Sequence, residues 1–104
     1  MAKVLVSDPI DAAGIEILSQ VAQVDQQTGL SIEELKSIIG SYDALMIRSG
    51  TKVTSEVIEA AGRLRIIGRA GVGVDNVDVP AATQRGVLVV NSPEGNTIAA
   101  AEHA

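Results

Sequence analysis

A chain of 104 residues, 46% of them hydrophobic, has the size of one domain that can bury a core without staples. It contains no apolar run near the roughly 18 to 20 residues needed to cross a bilayer. The lack of cysteine excludes a disulfide framework, a thiolate nucleophile and thiolate metal ligation, and a net charge of -5 speaks against a broad nucleic-acid surface.

From the N-terminus, short β-branched stretches alternate with longer ones of helical spacing. The first strand is expected over Lys3 to Ser7. Asp8 as N-cap and Pro9 at the first helical position then predict a helix to about Ser19. A second strand is expected over Val21 to Asp25. In LSIEELKSIIG, Ser31 and Glu34 form a capping box, Leu30 and Leu35 sit at staple positions, and Gly40 falls where a left-handed C-terminal residue is wanted. The third strand is Ala44 to Ile47. In VTSEVIEAAG, Thr54 can cap, Val53 and Ile58 make a second staple, and Gly62 closes the helix. A fourth strand over Arg65 to Gly68 precedes a short helix from about Pro80 that Gly86 closes, and Val87 to Val90 is the fifth. After the turn NSPEGN, the segment TIAAAEHA has helical propensity but no stop signal, so the helix is expected to be cut short by the chain's end. The start MAKVLVSDPI lacks the apolar stretch of a secretory signal, which predicts a cytoplasmic location.

Five βα units imply an α/β fold: a doubly wound, parallel five-stranded sheet of flavodoxin-like order 2-1-3-4-5. With Tyr42 as the single aromatic residue, its core rests on Val, Ile, Leu and Ala.

Ligands of such sheets lie outside the carboxyl ends of the strands, so residues placed there carry the functional reading. Arg48 follows the third strand and Arg69 ends the fourth; two guanidiniums at one edge can clamp a carboxylate or phosphate through paired hydrogen bonds. They could equally be solvated, or paired with Asp75 or Asp78. Arg63, Arg65 and Arg85 are assigned to solvated faces. Gly71 and Gly73 form a G-x-G, yet Asn76 stands where a dinucleotide loop has its third glycine, and the loop follows the fourth strand instead of the first. Exposed amides there could hold an anionic oxygen, or the glycines could serve the turn alone. Asn96 could donate to a carboxylate or cap the next helix. His103 and Glu102 are neighbours that point about 100° apart, which argues against an acid/base pair. A phosphoacceptor signalling domain would place an aspartate after the third strand, where this chain has Arg48. A flavodoxin would use a hydroxyl-rich first loop and stacking aromatics.

IRSGTKVT, GRAGVGVDNVD and NSPEGNT at these spacings resemble the N-terminal part of the substrate-binding domain of the NAD-dependent D-2-hydroxyacid dehydrogenases, in their D-3-phosphoglycerate dehydrogenase branch. The likeness covers the whole chain and is closer after about Tyr42. It implies a partial substrate-binding domain over 1–104, with the cofactor-binding Rossmann domain absent. Arg48 and Arg69, with Ser49, would then hold 3-phosphoglycerate. The amides of Gly71, Val72 and Gly73 would orient its carboxylate, Val72 would touch the nicotinamide end of NAD, and Asn96 would line the same cleft. The family's catalytic histidine, acidic partner and arginine would lie beyond residue 104, so no catalytic or metal-ligating residue is expected here. The implied reaction oxidises 3-phosphoglycerate to 3-phosphohydroxypyruvate, on the way to serine. The fragment alone would be inactive and would bind no cofactor. A different expectation is a self-associating module, a homodimer through the apolar face of the C-terminal helix around Ile98.

Overall fold

The computed structural model describes residues 2–9, 12–48, 50–70 and 76–92. Five strands, β1 (Lys3–Val6), β2 (Gln23–Gln26), β3 (Ala44–Ile47), β4 (Ile66–Ala70) and β5 (Leu88–Ser92), form one parallel sheet of order β2-β1-β3-β4-β5. Four helices connect them: α1 (Ala12–Ser19), α2 (Ile32–Ile38), α3 (Ser55–Ala60) and α4 (Val79–Gln84). The expected α/β class and strand order are both present.

Strand alternation divides the core in two, as it must when a sheet is covered on both faces. Leu5, Leu45, Ile47 and Ile67 point to one face and are buried with Leu35 of α2, Val57 and Ile58 of α3 and Ala82 of α4. Val4, Val6 and Met46 point to the other and pack on Leu18 of α1, with Ile15 and Val24 beside them. The chain therefore leaves β1 on one face and returns to β3 on the opposite one.

The helix starts follow the local chemistry closely. Ser31 Oγ accepts from the Glu34 amide at 3.1 Å while the Ser31 amide donates to Glu34 Oε1 at 3.0 Å, completing the capping box of α2. The bond from the Ser31 amide first, and the Ser31 hydroxyl after it, hold the Glu34 carboxyl below its ordinary pKa. Thr54 caps α3, and its staple partners Val53 and Ile58 are both buried. Asp78 caps α4 through a 3.1 Å bond from the Ala81 amide, with Pro80 in the first turn, and Gly86 ends it at φ +73°.

Four expectations need correction. Pro9 is not helical, so α1 does not begin on it, and Asp8 Oδ2 is engaged by two backbone amides across the sheet edge; the first residues after Pro9, on which a cap by Asp8 would act, lie outside the described residues. The turn after α1 keeps winding, with the Val21 and Ala22 amides both donating to Leu18 O, so β2 starts only at Gln23 and Val21 is 72% exposed. Gly40 lies in a 3-10 turn, Ile39–Ser41, without a left-handed φ. A Cβ there would stand 3.1 Å from Ala60 O, so close approach to α3 is what favours glycine. Gly62 likewise has no positive φ, and α3 ends at Ala61 instead. The positive φ of Gly29, +74°, carried no recognised signal.

Candidate anion site at the carboxyl edge of the sheet

In β3 and β4, Ile47 is paired with Arg69, and Arg48 is the next residue after β3, so both arginines lie at the carboxyl edge as expected. Their environments differ. Arg48 is exposed and its Nη1 reaches Pro9 O at 3.4 Å, whereas Arg69 is only 9% exposed. Arg69 Nε donates to Asn76 Oδ1 at 2.6 Å. Asp78, one of the two acidic partners considered, is engaged as the cap of α4, and the other, Asp75, lies outside the described residues.

Asn76 carries more than this one bond. Its Nδ2 donates to Arg48 O and to Thr51 O, each at 2.6 Å, so one side chain joins the turn after β3 to the guanidinium on β4. The main chain reinforces the junction: the Val53 amide donates to Asn76 O at 2.8 Å and the Asp78 amide to Val53 O at 2.9 Å. From the opposite side Asp8, 6% exposed, accepts the Arg48 amide at 2.8 Å and the Thr51 amide at 2.9 Å on Oδ2. Ser7 Oγ and Thr51 Oγ1 share a hydrogen bond of 2.8 Å. A groove of about 370 Å³ flanks the junction, with Lys52 and Asn76 on its walls.

These residues suit anion recognition and do not suit a dinucleotide. Every polar group of the Asn76 amide is committed, so the position of the third glycine cannot admit a pyrophosphate against bare backbone. Among the described residues no cluster of His, Asp or Glu could hold a metal ion. Ser49, Gly71, Val72, Gly73 and Asn96, together with Asp75, His103 and the C-terminal helix, lie outside the described residues. Sequence reasoning missed Asp8, Gly50, Thr51 and Asn76 as parts of the site. An acidic residue at the end of β1 facing a Gly-Thr pair after β3 was the signal that could have found them.

The profile of the family described as D-isomer specific 2-hydroxyacid dehydrogenase, catalytic domain, matches residues 4–104. The chain belongs to this family. Among 2-hydroxyacid dehydrogenase relatives it is 70% identical to the D-3-phosphoglycerate dehydrogenase of Synechocystis over 104 residues, all of this chain and 19% of that protein. It is 54% identical over 102 residues to the D-3-phosphoglycerate dehydrogenase of Methanocaldococcus jannaschii, 98% of this chain and 20% of that one. The chain thus spans about a fifth of the length of these relatives. Its fold superposes on a Pyrococcus horikoshii protein with TM-score 0.87 at 36% identity, covering 99% of this chain and 31% of that structure. It also superposes on the NAD+-bound 3-phosphoglycerate dehydrogenase of Entamoeba histolytica with TM-score 0.78 at 30% identity, covering 86% and 32%.

Proposed function

We propose that the chain is part of the substrate-binding domain of an NAD-dependent D-2-hydroxyacid dehydrogenase that oxidises 3-phosphoglycerate to 3-phosphohydroxypyruvate. The 70% identity to a D-3-phosphoglycerate dehydrogenase along the whole chain carries this reading. The two arginines at adjacent strand ends support it, because a phosphorylated hydroxy acid offers two anionic groups to a pair of guanidiniums. Arg48, Ser49 and Arg69 bind the anionic ends of the substrate, and the amides of Gly71, Val72 and Gly73 orient its carboxylate. Val72 also meets the nicotinamide, and Asn96 lines the cleft. When bound, NAD supplies the hydride acceptor; the site that holds it, like the general base, is furnished by parts of the enzyme outside residues 1–104. The chain alone is inactive and retains weak anion binding. No helix among the described residues is long and apolar enough to cross a membrane.

The test is an amide NMR titration of the 104-residue chain with 3-phosphoglycerate, with glycerol and inorganic phosphate as controls. Shifts confined to Arg48, Thr51, Arg69 and 71–73, produced by the phosphorylated acid and not by glycerol, are expected. Shifts elsewhere on the surface, or the same response to glycerol, would refute the assignment of the site.

A further inference from the structure

Residues 48 and 51 are held in the same unusual way. Each gives its N–H to Asp8 and receives on its C=O a donor from Asn76. The backbone of the turn from which Arg48 projects is gripped from the β1 side by a buried carboxylate and from the β4 side by a carboxamide. That carboxamide also accepts Arg69 Nε. We infer that Asp8 and Asn76 are positioning residues that set Arg48 and Arg69 as one preorganised anion clamp. This deepens the functional reading above and rests on it.

The chemistry of each group fits its task. An aspartate beside an anion site repels the ligand when its charge faces the cleft; here Oδ2 is turned into the two amides of the turn. The turn closes around the carboxylate because Gly50 has no Cβ, which would stand 2.7 Å from Asp8 Oδ1. Asparagine is the residue type that offers two donors and an acceptor from one planar group, and each is used. An aspartate at 76 would keep an acceptor for Arg69 but turn a carboxylate oxygen towards two carbonyls. An alanine would release the turn and the guanidinium together. With Nε bonded to Asn76, the plane of the Arg69 guanidinium is set before any ligand arrives, and binding gains most from groups that need not be ordered on contact. Neither Asp8 nor Asn76 needs to touch the substrate for this effect.

The experiment uses Asn76→Ala, Asn76→Asp and Asp8→Asn, both in the enzyme that contains this chain and in the 104-residue chain. In the enzyme, each variant should raise KM for 3-phosphoglycerate by about ten-fold or more while KM for NAD and kcat stay within about two-fold. In the short chain, the Arg69 Nε–H resonance should shift and exchange faster in Asn76→Ala and stay in place in Asp8→Asn, a signature that a general loss of stability does not produce. The inference is overturned if the variants fold with KM for 3-phosphoglycerate unchanged, or if kcat falls at constant KM. An Arg69 Nε–H signal indifferent to Asn76→Ala also overturns it. If Asn76→Ala does not fold, Asn76→Asp and Asp8→Asn decide by the same kinetic criteria. If the wild-type enzyme does not oxidise 3-phosphoglycerate, the functional reading fails by itself. The positioning role is then judged from the Arg69 resonance and from the affinity of the short chain for inorganic phosphate, which these variants should lower and which, if unchanged, refutes it.

Discussion

Replacing Gly50 by alanine tests the turn around Asp8 most directly. The added Cβ would lie 2.7 Å from Asp8 Oδ1 and 3.4 Å from its Cγ, and Gly50 has no left-handed φ, so space alone requires glycine. An ordinary contact is about 3.5 Å, so the carboxylate or the turn must move by about 0.8 Å. Asp8 cannot swing aside without loss, because Oδ2 holds the Arg48 and Thr51 amides at 2.8 and 2.9 Å. A shift of that size takes both bonds past the useful range, and each hydrogen bond to a charged acceptor is worth about 1.5 to 3 kcal/mol. Partial relaxation leaves an expected cost of about 2 kcal/mol, which lowers Tm by about 8 to 16 °C in a domain of this size. Urea and thermal unfolding of wild type, Gly50→Ala, Asp8→Ala and the double variant measure it. Asp8→Ala removes the obstacle, so the double variant should be no less stable than Asp8→Ala alone. Additive costs, or a Gly50→Ala within about 0.5 kcal/mol of wild type, would refute the steric argument.

Ser31→Ala removes the cap oxygen of α2 and should cost about 1 kcal/mol in urea unfolding. Asp43 accepts the Lys3 amide at 2.9 Å and lies 3.4 Å from Arg63 Nη2; the amide bond first, and the Arg63 charge after it, hold its carboxyl below the ordinary range against the opposing effect of burial. A lowered folded pKa gives stability that is present above the ordinary aspartate value of about 4 and is lost as pH falls through the lowered one. Asp43→Asn should therefore flatten the acid limb of a stability–pH curve, and an unchanged limb would refute this. Tyr42 Oη donates to Asp25 Oδ2 at 2.7 Å, and burial first, then Asp25, raises its pKa. Its contribution is present below about pH 10 and lost as pH rises through the raised value, so Tyr42→Phe should cost about 1 kcal/mol near neutrality and remove the alkaline dependence.

What could be read from the sequence was what acts over a few residues or along a strand. The box of Ser31 and Glu34, the caps Thr54 and Asp78 and the left-handed Gly86 need only their own neighbours, and the alternation of strands and helices gave the sheet order. Arg48 and Arg69 were placed correctly because a strand end fixes an edge. Asp8 was read only as a helix cap because its local context is an acidic residue before proline, while the partners of its Oδ2 lie 40 and 43 residues away. Asn76 was noticed only as a missing glycine, since its bonds to Arg48 O and Thr51 O span 28 and 25 residues. Gly40 was misread for a similar reason: the atom that favours glycine there belongs to Ala60, on another helix.

The topology explains why the site stands where it does. In a doubly wound sheet the ordinary binding crevice opens where the chain reverses direction, here between the carboxyl ends of β1 and β3. Described residues bridge that place. Asp8 and Ser7 of the first loop reach across to Arg48 and Thr51 of the third, and the Arg48 guanidinium contacts Pro9 O. A nucleotide or flavin phosphate, which would use amides at that crevice, finds those of Arg48 and Thr51 already donated to an aspartate. The proposed anion site lies one strand along, at β3 and β4, where the pairing of Ile47 with Arg69 puts a second guanidinium within reach of the same asparagine that holds the turn of the first. The closed crevice and the arginine site are thus two consequences of one arrangement: the aspartate that occupies the former fixes the backbone on which the latter depends.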